Sequence, residues 1–179
     1  MFTQTKSLPR VLTFSEVKYY IFSIVFTGLA VLTPVLAHQF QMAGQIFLPM
    51  HIFVLAAGFL FGWRTGLMVG LLSPLLSYSL TQMPLTVLLP QVTLELAVYG
   101  IVIGLLREKN LNIWVSLLSA MILGRLARVL FILLFASKMS ALQFINISLP
   151  GIILQIALLP LIVFFVQKFI SEKDNEQGI

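Results

Sequence analysis

Residues 56–74 read AAGFLFGWRTGLMVGLLSP, an apolar run in which a glycine recurs at every fourth position, namely Gly58, Gly62, Gly66 and Gly70. Small residues at that spacing share one helix face and let helix backbones approach closely, as membrane helices do where no hydrophobic effect drives them together. Residues 63–65 (WRT), in the middle of the run, predict a tight turn at a membrane surface. The stretch therefore predicts two short membrane helices that pack closely.

The same packing device returns further along the chain. Gly100 and Gly104 are again four residues apart within an apolar segment, and we expect them to allow close helix packing there too. Pro74 follows the glycine run, and because proline lacks a backbone donor it is expected to interrupt the third apolar segment and to kink its helix.

The composition excludes an ordinary soluble domain. Of the 179 residues, 59% are hydrophobic and 9% are charged, whereas soluble proteins carry about 25% charged residues. A mean hydropathy of +1.03 indicates that lipid is the solvent of this chain. Its length suits one membrane-embedded domain over residues 1–179. Because cysteine is absent, disulfides, thiolate metal sites and cysteine nucleophiles are excluded.

Six apolar segments are long enough to be helices, and they predict an all-α membrane protein with six transmembrane helices. Those predicted to start at residues 50 and 66 are short, since 13 residues rise only about 20 Å against a hydrocarbon core of about 30 Å. We expect flanking residues to extend them or neighbouring helices to shield them. The first apolar segment is longer than the apolar core of a cleaved signal peptide, so we expect it to remain in the mature protein. The segments are 19–37, 50–62, 66–80, 87–106, 112–136 and 149–168.

The basic residues predict the orientation. Six crossings place both termini on one side, and the segments on that side carry eight of the eleven lysines and arginines, while the opposite loops carry only Lys138. Short cytoplasmic loops are enriched in Lys and Arg, so both termini are predicted to be cytoplasmic in a multi-pass protein of the plasma membrane. The scattering of these residues between apolar segments argues against nucleic-acid binding. The eight are Lys6, Arg10, Lys18, Arg64, Arg107, Lys109, Lys168 and Lys173.

Three charged residues lie inside the predicted spans: Glu95 in the fourth, and Arg125 and Arg128 in the fifth. Each such charge costs about 2.5–3.5 kcal/mol near the middle of a membrane. We therefore expect the three residues to have a role that offsets this cost. Counted from the helix ends, all three lie roughly 12–16 Å below the same surface. The fourth and fifth spans are consecutive and antiparallel, so the charges are expected to meet.

Two hypotheses explain the three charges. Two arginines and one glutamate leave one positive charge, which would suit an anionic ligand because a guanidinium binds a carboxylate in a bidentate manner. Alternatively, an Arg–Glu–Arg network fastens the two helices together. Gln91 and Tyr99 share the helix stripe of Glu95, and Gln155 of the last span falls near the same depth.

The predicted outer loops are polar but nearly uncharged, as the mouth of a site for a small hydrogen-bonding solute would be. They hold Gln45 and Asn146, and His51 stands at the outer end of the second span. We predict these three as substrate-binding candidates, although a hydrogen-bonded structural histidine is an alternative at His51. His38 and His51 lack supporting carboxylates, so no metal site is predicted.

The chain resembles the substrate-binding S components of energy-coupling factor (ECF) transporters over about residues 19–168. The likeness rests on FLPMH at 47–51, on the glycine run through Pro74 and Ser77, and on ELAVYG at 95–100. The resemblance implies a six-helix membrane protein with both termini inside, which captures a vitamin from outside. It also implies a coupling membrane subunit and two cytoplasmic ATPases as partners.

The first helix of the family often carries an alanine pair, four residues apart, that docks against the coupling subunit. This chain departs from that pattern, and its corresponding small residues are Ser23, Thr27, Gly28 and Ala30. The resemblance implies Ser23, Thr27 and Ala30 as the docking residues. The chain also lacks a G-x-x-x-x-G-K-[ST] phosphate loop. We therefore predict a non-enzymatic subunit without cofactor or catalytic residues, whose partners use ATP.

The residual positive charge predicts an acidic cargo. Pantothenate is favoured on the likeness around Pro49-Met50-His51, with nicotinate, biotin, lipoate and folates as further acids and with cobalamin, pyridoxine-type and queuosine-precursor substrates open. The main alternative function is a self-sufficient secondary transporter or channel for an organic anion, although no inverted repeat is evident. An intramembrane enzyme is disfavoured because Glu95 is the one acidic residue predicted to be buried.

Overall fold

The computed structural model describes residues 15–39, 49–135 and 149–177, which form six α-helices and, within those ranges, no strand. Each predicted apolar segment lies within one helix, apart from a few residues at its ends, so the all-α class and the number of helices are confirmed. The helices are α1 Val17–Gln39, α2 Pro49–Phe61, α3 Trp63–Thr81, α4 Leu89–Glu108, α5 Ile113–Phe135 and α6 Leu149–Gln177.

Helix α2 is the centre of the bundle, in contact with α1, α3, α4 and α6. From Met50 to Phe61 every residue is buried except Phe53, which is partly exposed. At 13 residues α2 is short. The burial of α2 agrees with shielding by neighbouring helices, one of the two alternatives predicted, whereas flanking residues extend the other short segment, 66–80, to the helix Trp63–Thr81.

The most extensive helix pairing joins α3 and α4, and glycines make it possible. A Cβ built on Gly66 would strike the backbone of Gly100, and one built on Gly100 would strike the backbone of Gly66. Gly58 of α2 likewise faces the carbonyl oxygen of Gly100, at 2.8 Å from such a Cβ. The close packing predicted from glycine spacing is confirmed, with α4 as the common partner of α2 and α3.

The junction between α2 and α3 differs from the predicted turn. Residues 63–65 form the first turn of α3, and the chain leaves helical geometry only at Gly62, with φ 96° and ψ 172°. A positive φ of this kind suits glycine, which has no Cβ to clash. The backbone N–H of Trp63 donates to Glu108 Oε1 at 3.3 Å, so the end of α4 caps the start of α3.

Helix α3 runs through Pro74 without an end at that residue, so the expected interruption is not seen. The hydroxyl of Ser73 donates to the carbonyl oxygen of Val69 one turn earlier. Such back-bonding satisfies a polar group inside an apolar helix. The proline is thus accommodated within a continuous helix of 19 residues.

Two of the described helices, α4 and α5, are long and apolar enough to cross a bilayer by length and composition. Shorter apolar stretches lie at Tyr19–Pro34, Met50–Phe61 and Gly151–Val166. Helix α5 buries a stripe of small and apolar residues, while its opposite side exposes Ile122, Leu126 and Leu130. A helix with one packed side and one exposed apolar side is what a lipid-facing position in a membrane bundle requires.

Candidate substrate-binding site

Glu95 lies at the centre of a buried charged cluster between α4 and α5. Its side chain is fully buried, and its two carboxylate oxygens meet different arginines. Arg128 Nη1 donates to Glu95 Oε2 at 2.7 Å, and Arg125 Nε lies 3.0 Å from Glu95 Oε1. The predicted meeting of these three charges is therefore observed.

Tyr99 completes the cluster from one helical turn below Glu95. Its hydroxyl donates to Glu95 Oε1 at 3.2 Å and accepts from Arg125 Nε at 3.3 Å. The i, i+4 spacing on α4 aligns the two side chains on one face. Tyr99 is also fully buried, so this hydroxyl fixes the positions of both charged groups with respect to each other.

His51 reaches the cluster from α2. Its Nε2 lies 3.7 Å from Glu95 Oε2, which is within reach of an ion pair but too long for a hydrogen bond. Its ring meets that of Tyr99 edge to face, with centroids 5.6 Å apart. Within the described ranges neither ring nitrogen has a hydrogen-bond partner. His51 therefore lies in the site, but within the described ranges no hydrogen bond holds its ring in place.

Gly124 provides the room that Tyr99 occupies, a role that the sequence analysis missed. A Cβ at Gly124 would strike the ring of Tyr99 and would lie 3.1 Å from the backbone oxygen of Glu95. The sequence signal was available, since Gly124 comes directly before Arg125 and one turn before Arg128. A glycine at that place lets α5 approach α4 closely enough for its arginines to reach Glu95.

The charge of the cluster is unbalanced. One carboxylate faces two guanidinium groups, so the three groups together carry one excess positive charge in a buried setting. The geometry has both features that the two hypotheses require, because the same carboxylate ties α4 to α5 and still leaves the cluster cationic. The ion pairs that join α4 to α5 are observed directly. The hypothesis of an anionic ligand depends on the excess positive charge.

The two glutamines differ in their surroundings. Gln91 is buried on the stripe of Glu95, and its Nε2 donates to the carbonyl oxygen of Val87 at 3.1 Å. Gln155 of α6 is fully buried, and within the described part of the chain neither its oxygen nor its nitrogen has a hydrogen-bond partner. Gln45 and Asn146, the other amide candidates, lie outside the described residues.

The predicted docking residues of α1 face inward. Ser23, Thr27 and Ala30 are exposed by no more than 3%, so they pack inside this chain and are not a surface for a partner in this arrangement. The exposed part of α1 includes Tyr20, Ile24 and Gly28. Around Gly28 no atom lies within 4 Å of a built Cβ among the described residues.

A crevice of about 310 Å³ lies away from the cluster, between the start of α5 and the middle of α6. Its lining has no charged side chain, so it does not coincide with the cationic site. The lining residues are Ile113, Trp114, Ala157, Pro160, Leu161, Val163 and Phe164.

The fold and the cluster together define a helical membrane protein with a charged site enclosed in its bundle. The family model for the substrate-specific component of ECF transporters matches residues 18–170. The chain belongs to this family. Among curated proteins and among solved structures no match is found.

Family membership fixes the general function. The chain is a substrate-binding, non-catalytic subunit of a bacterial membrane transporter, and it associates with the subunits of an energy-coupling module. The resemblance seen in the sequence is thus confirmed at the level of the family. Membership favours the S component over a self-sufficient transporter.

Proposed function

We propose that this S component captures an anionic, water-soluble vitamin, with pantothenate as the favoured cargo. The observation that supports the proposal is the buried cluster in which two guanidinium groups share one carboxylate. A buried excess charge is costly, and a bound carboxylate would neutralise it through charge-assisted hydrogen bonds.

In the proposed site Arg125 and Arg128 hold the carboxylate of the cargo. Glu95 and Tyr99 orient the two guanidinium groups, through the contacts of 2.7–3.3 Å described above. The remaining predicted candidates supply neutral hydrogen bonds to the rest of the molecule. These are Gln91, His51, Gln155, Gln45 and Asn146.

The proposal extends to topology and partners. Both termini lie in the cytoplasm on the strength of the basic-residue count, so the cluster lies toward the outer surface. The whole chain acts as one domain, uses no cofactor of its own, and depends on ATP hydrolysis by two partner ATPases. We place the docking contact with the coupling subunit on α1, on the exposed side that includes Gly28, rather than at the buried Ser23, Thr27 and Ala30.

Isothermal titration of the purified full-length chain with pantothenate tests the anion site. We expect saturable binding by the wild type, and at least a hundred-fold loss of affinity in Arg128→Met and in Arg125→Met, because each removes a charge-assisted contact to the acid. Leu126→Met, on the exposed side of the same helix, is the matched control. If both arginine variants bind pantothenate as the wild type does, the anion site is wrong.

Affinity purification from the native membrane tests the partners. We expect a tagged chain to bring down a membrane coupling subunit and two ATPases, and Gly28→Phe to lose them while it retains ligand binding. A Gly28→Phe variant that still carries the complete complex would place the docking contact elsewhere.

A further inference from the structure

We infer that Gln155 forms a second, neutral subsite, so that the cargo is an acid that also carries an uncharged hydrogen-bonding group such as an amide. The inference rests on the proposed function and narrows its substrate class. The observation behind it is the carboxamide of Gln155, fully buried and without a hydrogen-bond partner in residues 15–39, 49–135 and 149–177.

A buried carboxamide in this condition is unusual. Nearly all buried side-chain polar atoms in proteins have a partner, and those that lack one are destabilising. The substitution of leucine, of similar volume, would remove the penalty without loss of packing. A glutamine at this position is therefore best explained by a group that arrives from outside the chain.

The register of the helices places Gln155 level with the charged cluster. Gln155 is the sixth residue after the start of α6, and Glu95 is the sixth after the start of α4. Arg128 is the seventh before the end of α5, which runs in the opposite direction. At 1.5 Å per residue each lies about 9–10 Å from the same end of the bundle.

The packing of α6 directs Gln155 toward the same interior. Among its described neighbours α6 contacts α2 and α5, the helices that carry His51 and Arg128. One turn further along α6, the fully buried Leu159 continues the stripe of Gln155 into the core. Gln155 thus lies on the packed side of α6, whose neighbours among the described helices are α2 and α5.

The chemistry of the two subsites differs. The arginines provide donors alone and recognise a carboxylate, whereas a carboxamide offers one acceptor oxygen and two N–H donors. His51, whose ring nitrogens are also without hydrogen-bond partners among the described residues, adds a further donor or acceptor. A ligand that satisfies Gln155 must therefore present both a donor and an acceptor, as an amide or a ureide does.

The test compares three acids on the full-length chain in detergent, by isothermal titration: pantothenate, whose carboxylate is joined to an amide and hydroxyls; biotin, with a ureide; and lipoate, whose tail is apolar. We expect pantothenate or biotin to bind at least ten-fold more tightly than lipoate. In Gln155→Leu we expect that preference to fall about ten-fold or more, while lipoate binding stays unchanged.

Ser116→Ala is the matched control. Ser116 is another fully buried group without a hydrogen-bond partner in the described ranges, and it lies twelve residues from Arg128 along α5. Both variants remove an unpartnered polar group, so both are expected to keep or raise the melting temperature of the ligand-free chain. Only Gln155→Leu should change the preference among the acids.

The outcomes separate this inference from the proposed function. If lipoate binds as well as the other two acids, or if Gln155→Leu weakens all acids equally, the neutral subsite is wrong and the anion site stands. If none of the three acids binds to the wild-type chain, the anionic cargo is wrong and the neutral subsite falls with it.

Discussion

Two faces of α4 are held in the bundle by opposite means. One face, with Gly100 and Gly104, lies against α2 and α3 so closely that glycine backbones touch. Another face, with Glu95 and Tyr99, is joined to α5 by buried ion pairs and hydrogen bonds. We call these regions the glycine seam and the charged cluster.

The contrast shows how one helix serves both stability and binding. Backbone contacts at the glycine seam tolerate no added atom and offer no group to a ligand. Ion pairs in the charged cluster can exchange a protein partner for a ligand carboxylate at a similar distance. A rigid seam on one face of α4 therefore leaves another face available for recognition.

The largest effect is expected at the glycine seam, in Gly100→Leu. Even a Cβ at this position would strike the backbone of Gly66, so a leucine side chain would force α3 and α4 apart. We expect no monodisperse protein on size-exclusion chromatography in detergent. Recovery of a folded monomer with wild-type melting temperature would mean that the seam is not the tight contact described.

The charged cluster is expected to respond next, through Glu95→Gln. The substitution leaves two buried guanidinium groups without their counter-charge, and breaking a buried pair in this way costs about 3–5 kcal/mol. We expect a clear fall in the midpoint of thermal unfolding. Glu108→Gln is the matched control, because Glu108 accepts the backbone N–H of Trp63 at 3.3 Å and the amide oxygen of glutamine can accept it too, so the substitution should cost about 1 kcal/mol or less.

A double variant sharpens the result on Glu95. If the carboxylate acts through its pair with Arg128, Glu95→Gln combined with Arg128→Gln should be less destabilising than the sum of the single variants. Additive effects would show that the two groups stabilise the bundle independently, contrary to the contact of 2.7 Å.

A smaller effect is expected within the charged cluster, in Gly124→Ala. The added methyl group would strike the ring of Tyr99, a side chain that can shift, so we expect a loss of about 1–2 kcal/mol rather than failure to fold. Pantothenate binding should weaken too, because Tyr99 orients Arg125. Tyr99→Leu should abolish most of the penalty of Gly124→Ala, and a penalty that persists would exclude the tyrosine as its cause.

The sequence predicted the glycine seam better than the charged cluster. Spacing of four residues is a local pattern, and it predicted close helix packing at these glycines, whereas the contact of Gly58 and Gly66 with Gly100 is seen only in the structure. The charges were predicted to meet because the depth of a residue in a membrane follows from the length of its helix. The pairing within the cluster, with Glu95 between both arginines, depends on helix rotation and could not be read from depth alone.

Two errors have physical causes of the same kind. The segment at 63–65 contains a polar and charged pair, which suggested a turn, but Gly62 alone makes the bend and Glu108 caps the helix that follows. The family resemblance predicted Ser23, Thr27 and Ala30 as a surface for the coupling subunit, whereas all three are buried in this chain. Small residues serve packing inside a chain equally well, and the sequence of one helix does not say which of its faces the rest of the bundle covers.

The smallest effect is expected from Gly28→Ala. This variant separates the loss of close backbone packing at the glycine seam from the general effect of replacing a glycine in a helix. Gly28 lies in α1 with open space around a built Cβ among the described residues, whereas the same atom at Gly100 meets the backbone of Gly66. Alanine is the better helix former by up to about 1 kcal/mol. Gly28→Ala should therefore leave the thermal midpoint of the isolated chain unchanged or slightly raised. A fall comparable to that of Gly124→Ala would show that the exposed side of α1 already has a tight contact, and the contrast between glycines in contact and glycines in open space would no longer explain the stability of this bundle.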